Sequence, residues 1–436
     1  MTELENKRIE LFRKAARFET VERTPYFSSA VTWKIFDAGL PLSLAETNFD
    51  AMRACVARFL RSYPVDGLLD TGIRNQFWVT EAFQGLPSSS AGNKSYYYYT
   101  DEAVAVHDHA FCTAENLKEY LENPSDFVWN KLLPEKYGEI WQTRTKKDWQ
   151  KTYKAYFDYV KFIISGAGMV KKEFGIPSTA PNNPIMNSID FGIEVLLSNV
   201  LGIKQLSIAM RRNADLIEEF CKTWDAQHID PLIEKVKKGK GPNLSYCFDA
   251  SIMLLAQNIL SPKQFERFYA PSLKKLLDAY AEKGCNVRIF CEGSIKHIAD
   301  VFAGYPKGLL TLHLEQDSPE EIGALLPNAC IMGGLTTELL SGASPQSCVD
   351  RAKELQDKLG GGLILSENKM LSFRSDCCPE NLAAVLSYVT GREVVPGPKL
   401  NPADFPKKEQ KGGLPLWLGP KNGSLMKILV KILAEG

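Results

Sequence analysis

Four short apolar runs organise the second half of the chain: Val287–Glu292, Leu309–Glu315, Ala329–Leu335 and Gly362–Glu367. They are too short for buried helices and are bounded by turn residues, so each predicts a core strand. Stretches with helical spacing separate or follow them, at 294–303, 318–326, 345–359 and 379–390. Two of these open with capping signals, Ser318-Pro319-Glu320-Glu321 and Ser344-Pro345. Strand and helix alternating at this period predict βαβ units and a parallel sheet. A TIM barrel and an open doubly wound sheet both satisfy the pattern.

The first half is less regular. Residues 1–60 read as mostly helical, interrupted by Arg23-Thr24-Pro25-Tyr26-Phe27, an extended entry segment because Pro25 disfavours helix at Thr24. The run from Val65 to Asp70 predicts a first core strand, and Ser95–Thr100 with Val104–Val106 predicts a β-hairpin. Residues 110–175, rich in Trp, Tyr, Lys and Glu, read as helical cover or an insertion. Helices follow at 190–212, 213–238 and 261–283. From 393 the chain carries Pro396, Pro398, Pro402 and Pro406 and is expected to wrap irregularly, with a last helix near 424–434.

Composition narrows the function classes. The 436 residues are 44% hydrophobic and 24% charged, enough to build a large core. Lys+Arg and Asp+Glu both number 52, so no global field draws the chain to nucleic acid or a membrane surface. No apolar run approaches the ~20 residues that span a bilayer. The charged N-terminus Met1–Arg8 lacks the apolar core of a secretory signal. Ten scattered cysteines without a CxxC pair read as reduced thiols, so a cytoplasmic location is expected.

Candidate chemistry follows from the rule that parallel α/β folds place catalytic groups where strands end. Val287–Glu292 ends in Cys291-Glu292-Gly293. The next run carries His313 and Glu315 on one face, because side chains alternate with period 2, and Asp317 follows at the same parity. Gly362–Glu367 ends in Ser366-Glu367-Asn368-Lys369, and Gly333-Gly334 allow close backbone approach. If consecutive strands pair, Glu292 and His313 stand ~5 Å apart at the backbone, a spacing that suits a divalent metal or an acid–base pair. A core histidine held by a hydrogen bond is the alternative. Asp249, after Tyr246-Cys247-Phe248, is a further strand-end candidate facing the site. His107-x-His109 supplies two metal-type ligands but no closed site, and His228 and His297 lie in helical stretches. Gly166-Ala167-Gly168 has Lys171 where a third glycine belongs, so a Rossmann site is not expected.

From Ser261 to about Val389 the order and spacing of motifs resemble the uroporphyrinogen decarboxylase superfamily, in its corrinoid-dependent methyltransferase branch. The likeness rests on Ser261–Tyr269, Cys291-Glu292-Gly293, Tyr305-Pro306-Lys307-Gly308, Gln316-Asp317, Ile331-Met332-Gly333-Gly334, Gly361–Ser366 and Pro379-Glu380-Asn381-Leu382. It extends weakly to Arg23-Thr24-Pro25 and Asp66. The resemblance implies one TIM (β/α)8 barrel domain over 1–436, with an N-terminal helical and hairpin extension (1–60 helical) and a C-terminal tail (393–436).

Departures from the family patterns discriminate among its chemistries. Pro25–Val31 lacks the arginines with which the decarboxylases hold a porphyrinogen. Ile289 replaces the histidine of the His-x-Cys zinc pair found in thiol-methylating members. The methyltransferases that begin O-demethylation of aryl methyl ethers resemble the chain better. Their Glu-x14-Glu-x20-His zinc pattern matches at Glu292 and His313, whereas its first position falls on Leu277 beside Asp278. The resemblance therefore implies catalytic Glu292 and His313, a zinc ion held by Glu292, His313 and Glu315, and Asp249 and Glu367 at the substrate or as alternative third ligands. It also implies a Co(I) corrinoid carried by a separate corrinoid protein, since no D-x-H-x-x-G motif occurs here. A small methoxylated aromatic is the expected methyl donor, with neither nucleic acid nor membrane as partner, and homodimerisation is allowed. The rival expectations are a decarboxylase acting on a porphyrinogen-like acid and an inactive barrel that serves as a binding protein.

Overall fold

The computed structural model describes residues 2–69, 97–99, 104–106, 110–132, 135, 145–181 and 189–406. His107, His109, Asp70 and the expected helix at 424–434 lie outside the described residues. Seven strands form one parallel sheet in the order β2-β1-β9-β8-β7-β6-β5. They are β1 (Tyr26–Ser28), β2 (Gly67–Leu68), β5 (Ala250–Leu254), β6 (Val287–Cys291), β7 (Leu310–Leu314), β8 (Cys330–Leu335) and β9 (Leu363–Glu367). The hairpin of β3 (Tyr97–Tyr99) and β4 (Val104–Val106) is antiparallel and forms a separate sheet, as its sequence suggested.

The sheet is a curled α/β barrel of the TIM type, not an open doubly wound sheet. The segment 176–180 stands between its two edges. Thr179 Oγ1 donates to the Leu68 carbonyl, while Cys247 N and Phe248 N donate to the carbonyls of Ser178 and Thr179. Ser178 and Tyr246 form a parallel bridge. This five-residue segment does the work of an eighth strand.

Helices Pro262–Phe268, Ala270–Glu282, Pro319–Leu325, Pro345–Leu359 and Pro379–Thr390 follow the strands, each with proline in its first turn. Ser261, Ser318 and Ser344 cap their helices by accepting from the backbone N–H three residues on. The expected helix after β6 is instead a 3₁₀ stretch, Lys296–Phe302. The run Gly192–Arg212 is long and apolar enough to cross a membrane, but most of it is buried inside the fold.

Alternation along the strands sorts the core into two sides. Val287, Ile289, Cys291, Leu310, Leu312 and Leu314 face the helical shell, and Leu335, Leu363 and Leu365 do so on the other side. Phe27, Phe248, Cys330, Met332 and Ile364 face the lumen, where Phe12 joins them. Phe12 lies on the helix Glu3–Ala16, which therefore plugs the N-terminal end of the barrel; its ring is 6.1 Å from Phe27 and 5.9 Å from Phe248. Gly67 on β2 is required by this plug, because a Cβ there would meet Phe27 at 2.6 Å. The tail from 393 to 406 straps the outside, with Arg58 donating to the carbonyls of Gly397 and Pro398.

Two further sequence expectations are corrected here. The supposed entry segment contains β1, a central strand three residues long, too short to show a period. Tyr246–Phe248 is not a strand ended by Asp249; the strand begins after it, at Ala250.

Candidate active site

Register fixes which side chains share a level of the lumen. Phe290, His313, Met332 and Ile364 are aligned across β6, β7, β8 and β9. Ser251, Arg288, Thr311 and Cys330 form the row beneath. Continuing the alternation upward puts Glu292 and Glu315 on the lumen side at the C-terminal rim, one row above His313, about 6.6 Å along the strands.

His313 is wholly buried and both ring nitrogens are engaged. Arg288 Nη2 lies 2.6 Å from Nδ1, and Nε2 lies 2.7 Å from the Glu367 carbonyl oxygen. A guanidinium only donates and a carbonyl only accepts, so Nδ1 is the acceptor and Nε2 carries the proton. Burial, and then the Arg288 charge, hold the His313 pKa well below its ordinary value. The imidazole is a neutral, fixed dipole.

Arg288 is the residue the sequence reading missed. Its side chain is buried in the lumen, where Nη1 donates to Ser251 Oγ at 3.1 Å and its Cζ sits 5.3 Å and 5.9 Å from the ring centroids of Phe27 and Phe290. Burial pushes its pKa down to about 10, so it remains a cation at neutral pH. The signal was present: a charge inside Val287-Arg288-Ile289-Phe290-Cys291, a strand buried on both faces, needs a reason.

The rim is built from hydrogen bonds that the strand ends leave free. Gly293 N donates to Glu315 Oε2 at 2.6 Å, and Asn368 Nδ2 donates to the Glu315 carbonyl. Asp317 accepts from Ser294 Oγ and Ile295 N. The Glu292 carbonyl accepts from Asn258 Nδ2 at 2.8 Å and from Gln257 Nε2. Gly293 adopts φ +70, and a Cβ there would stand 2.0 Å from Asn258 Oδ1, so only glycine makes this turn. Glu292 is half-buried beside it. Behind β5, the buried Glu194 carboxylate accepts from Leu255 N and Ala256 N, and burial raises its pKa to about 7.

Two candidates are misplaced by the sequence reading. Asp249 stands at the opposite, N-terminal rim, where its carboxylate accepts from Arg13 (Oδ1 at 3.1 Å), Asn243 N and Asn286 N. Its role there is to anchor the plug helix. Glu367 faces the helical shell, because its parity is that of Leu363 and Leu365. Its carboxylate accepts from Tyr26 Oη, Ser28 Oγ and Ser29 N, and only its carbonyl reaches the site.

The donor set does not fit a zinc ion. The single lone pair of neutral His313 is taken by Arg288, whose charge opposes a metal at that point. The Glu367 carboxylate points away, and Glu292 and Glu315 sit a row higher. Leu277 is buried in the helical shell, and Asp278 accepts from Tyr305 Oη on the way into β7. Among the described residues no three His, Cys, Asp or Glu side chains are grouped to hold a metal.

Comparison with known proteins agrees with the architecture. Residues 195–390 match the family model described as uroporphyrinogen decarboxylase (URO-D). Among solved structures, a methyltransferase from Methanosarcina mazei is similar with a TM-score of 0.54 at 14% sequence identity, over 87% of this chain and 97% of that one. No curated protein matches the sequence.

Proposed function

For a chain whose residues 195–390 match the uroporphyrinogen decarboxylase family model, we propose methyl transfer from an aryl methyl ether to the Co(I) corrinoid of a separate protein. The observation that carries this reading is the paired rim carboxylates, Glu292 and Glu315, above an aromatic-walled lumen. The corrinoid is the methyl acceptor, and both electrons of the new cobalt–carbon bond come from Co(I). The C–O pair stays with the aryl oxygen, which then needs a proton or a Lewis acid because phenoxide leaves reluctantly. Glu292 or Glu315 is the group placed to pass that proton to the oxygen, in place of a zinc ion. His313 holds Arg288 in the lumen beneath them.

The test is an anaerobic assay with the full chain, a Co(I) corrinoid protein and a panel of methoxyarenes, followed in the visible spectrum. Loss of the Co(I) band with release of the phenol is the expected outcome. Carbon dioxide release without cobalt would instead favour a decarboxylase, and no reaction across the panel would count against methyl transfer.

A further inference from the structure

A buried cation normally has a buried anion beside it, since an isolated charge in a low-dielectric interior costs several kcal/mol. Arg288 breaks that rule. It is 3% exposed, yet among the described residues its polar partners are a hydroxyl, Ser251 Oγ, and a neutral imidazole, His313 Nδ1. Its Nε is buried with no hydrogen-bond partner, and no carboxylate of the described residues pairs with it. The other buried arginines are treated differently: Arg13 meets Asp249 and Arg58 meets Asp37. Arg288 is thus a rigidly held donor fork with an unspent N–H, and two aromatic faces flank it.

The β5 side of the lumen beside it is the less buried one. On β5 the shell-facing Ala250, Ile252 and Leu254 are buried, whereas the lumen-facing Ser251 and Met253 are partly exposed. A group that reaches Ser251 Oγ therefore touches the guanidinium.

We propose that Arg288 is the anchor for a carboxylate on the substrate, so that the methyl donor is a methoxylated aromatic acid. This rests on the methyl-transfer reading for the methoxy group but on Arg288 alone for the acid. Its bond to His313 lifts the Arg288 guanidinium to the level of the Phe290–His313 row. The rim carboxylates start about one row, ~6.6 Å, higher. That is a gap one benzene ring bridges, entering past Ser251 and Met253, with its carboxylate on Arg288 and its ether oxygen under Glu292 and Glu315. Arg288 here positions the substrate and touches no reacting atom.

Binding, measured by calorimetry without any corrinoid, tests this separately from catalysis. Benzoate and 3-methoxybenzoate are expected to bind the full chain about 10- to 100-fold more tightly than benzamide and anisole, the range of a charge-assisted hydrogen bond. In Arg288→Gln that preference should fall to a few-fold, and Arg288→Lys should keep part of it. Should Arg288→Gln fail to fold, the acid-against-amide comparison on the unmodified chain decides alone. Equal binding of acid and amide, or an acid preference unchanged in a folded Arg288→Gln, overturns the proposal. Arg288-dependent acid binding without methyl transfer would sustain this inference while ending the methyl-transfer reading. Transfer from neutral ethers with no acid preference would do the reverse.

Discussion

Replacing His313 with alanine tests whether the lumen network is a mutually dependent unit. The imidazole joins Arg288 Nη2 at 2.6 Å to the Glu367 carbonyl at 2.7 Å, and it is completely buried. Removing it breaks one hydrogen bond to a charged group, worth about 1.5–3 kcal/mol, and a second to the Glu367 carbonyl, which keeps Ser366 Oγ as a partner at 3.1 Å, so that loss is a further ~0.5–1.5 kcal/mol. It also leaves Arg288 with Ser251 as its only described polar partner. A loss of about 3 kcal/mol is expected, a large share of the ~5–15 kcal/mol that holds a typical domain together. Much of that penalty belongs to the stranded guanidinium. Arg288→Met should therefore absorb part of it, and the double variant Arg288→Met/His313→Ala should be more stable than the sum of the singles by at least ~1.5 kcal/mol. Urea unfolding, comparing midpoints at constant slope, measures all three. A His313→Ala cost below ~1 kcal/mol, or strict additivity in the cycle, would refute the network.

Three further outcomes follow from the same geometry. Glu194, with its pKa raised to about 7, binds a proton in the folded state that the unfolded chain releases near pH 4.5. Its contribution is full below pH 4.5 and is lost as pH rises to 7, a difference of about 3 kcal/mol. Glu194→Gln should therefore gain stability relative to the unmodified chain between pH 5 and 7, and a pH-independent difference would contradict this. His313 has the opposite slope: its depressed folded pKa means stability falls by about 1.4 kcal/mol per pH unit below ~6.5, where the unfolded imidazole takes a proton. Substituting it should remove that slope from urea unfolding measured at pH 5 and 6.5. Asp249→Asn should cost about 3–5 kcal/mol by uncoupling buried Arg13, yet leave ligand binding at the rim unchanged once the variant is folded.

Much of the fold was legible because parallel strands buried on both faces print themselves as apolar runs. β6, β7, β8 and β9 fell within the expected limits for this reason. β1 and the segment 176–180 did not, since three to five residues carry no period and are recruited by their neighbours' open hydrogen bonds. The site was legible in part. Period-2 alternation put His313 and Glu315 on one face, and the strand-end rule found Glu292. The same rule named Glu367 without saying which side it faces, which only the register with β8 decides. Asp249 failed because a five-residue strand shifted by a few positions moves its end to the other rim. Arg288 was overlooked because a charge within an apolar run reads as noise until its neighbours are known.

The central claim, that a rim carboxylic acid protonates the departing aryl oxygen, is tested most directly by leaving-group dependence. Methyl-transfer rates would be measured for ring-substituted methoxybenzoates with the unmodified chain, Glu292→Gln and Glu315→Gln. The account requires at least one variant to lose about 10²- to 10⁴-fold with electron-rich rings, the loss shrinking towards nothing with nitro-substituted rings whose phenoxides leave unaided. A loss of equal size across the series, or none in either variant, would contradict it.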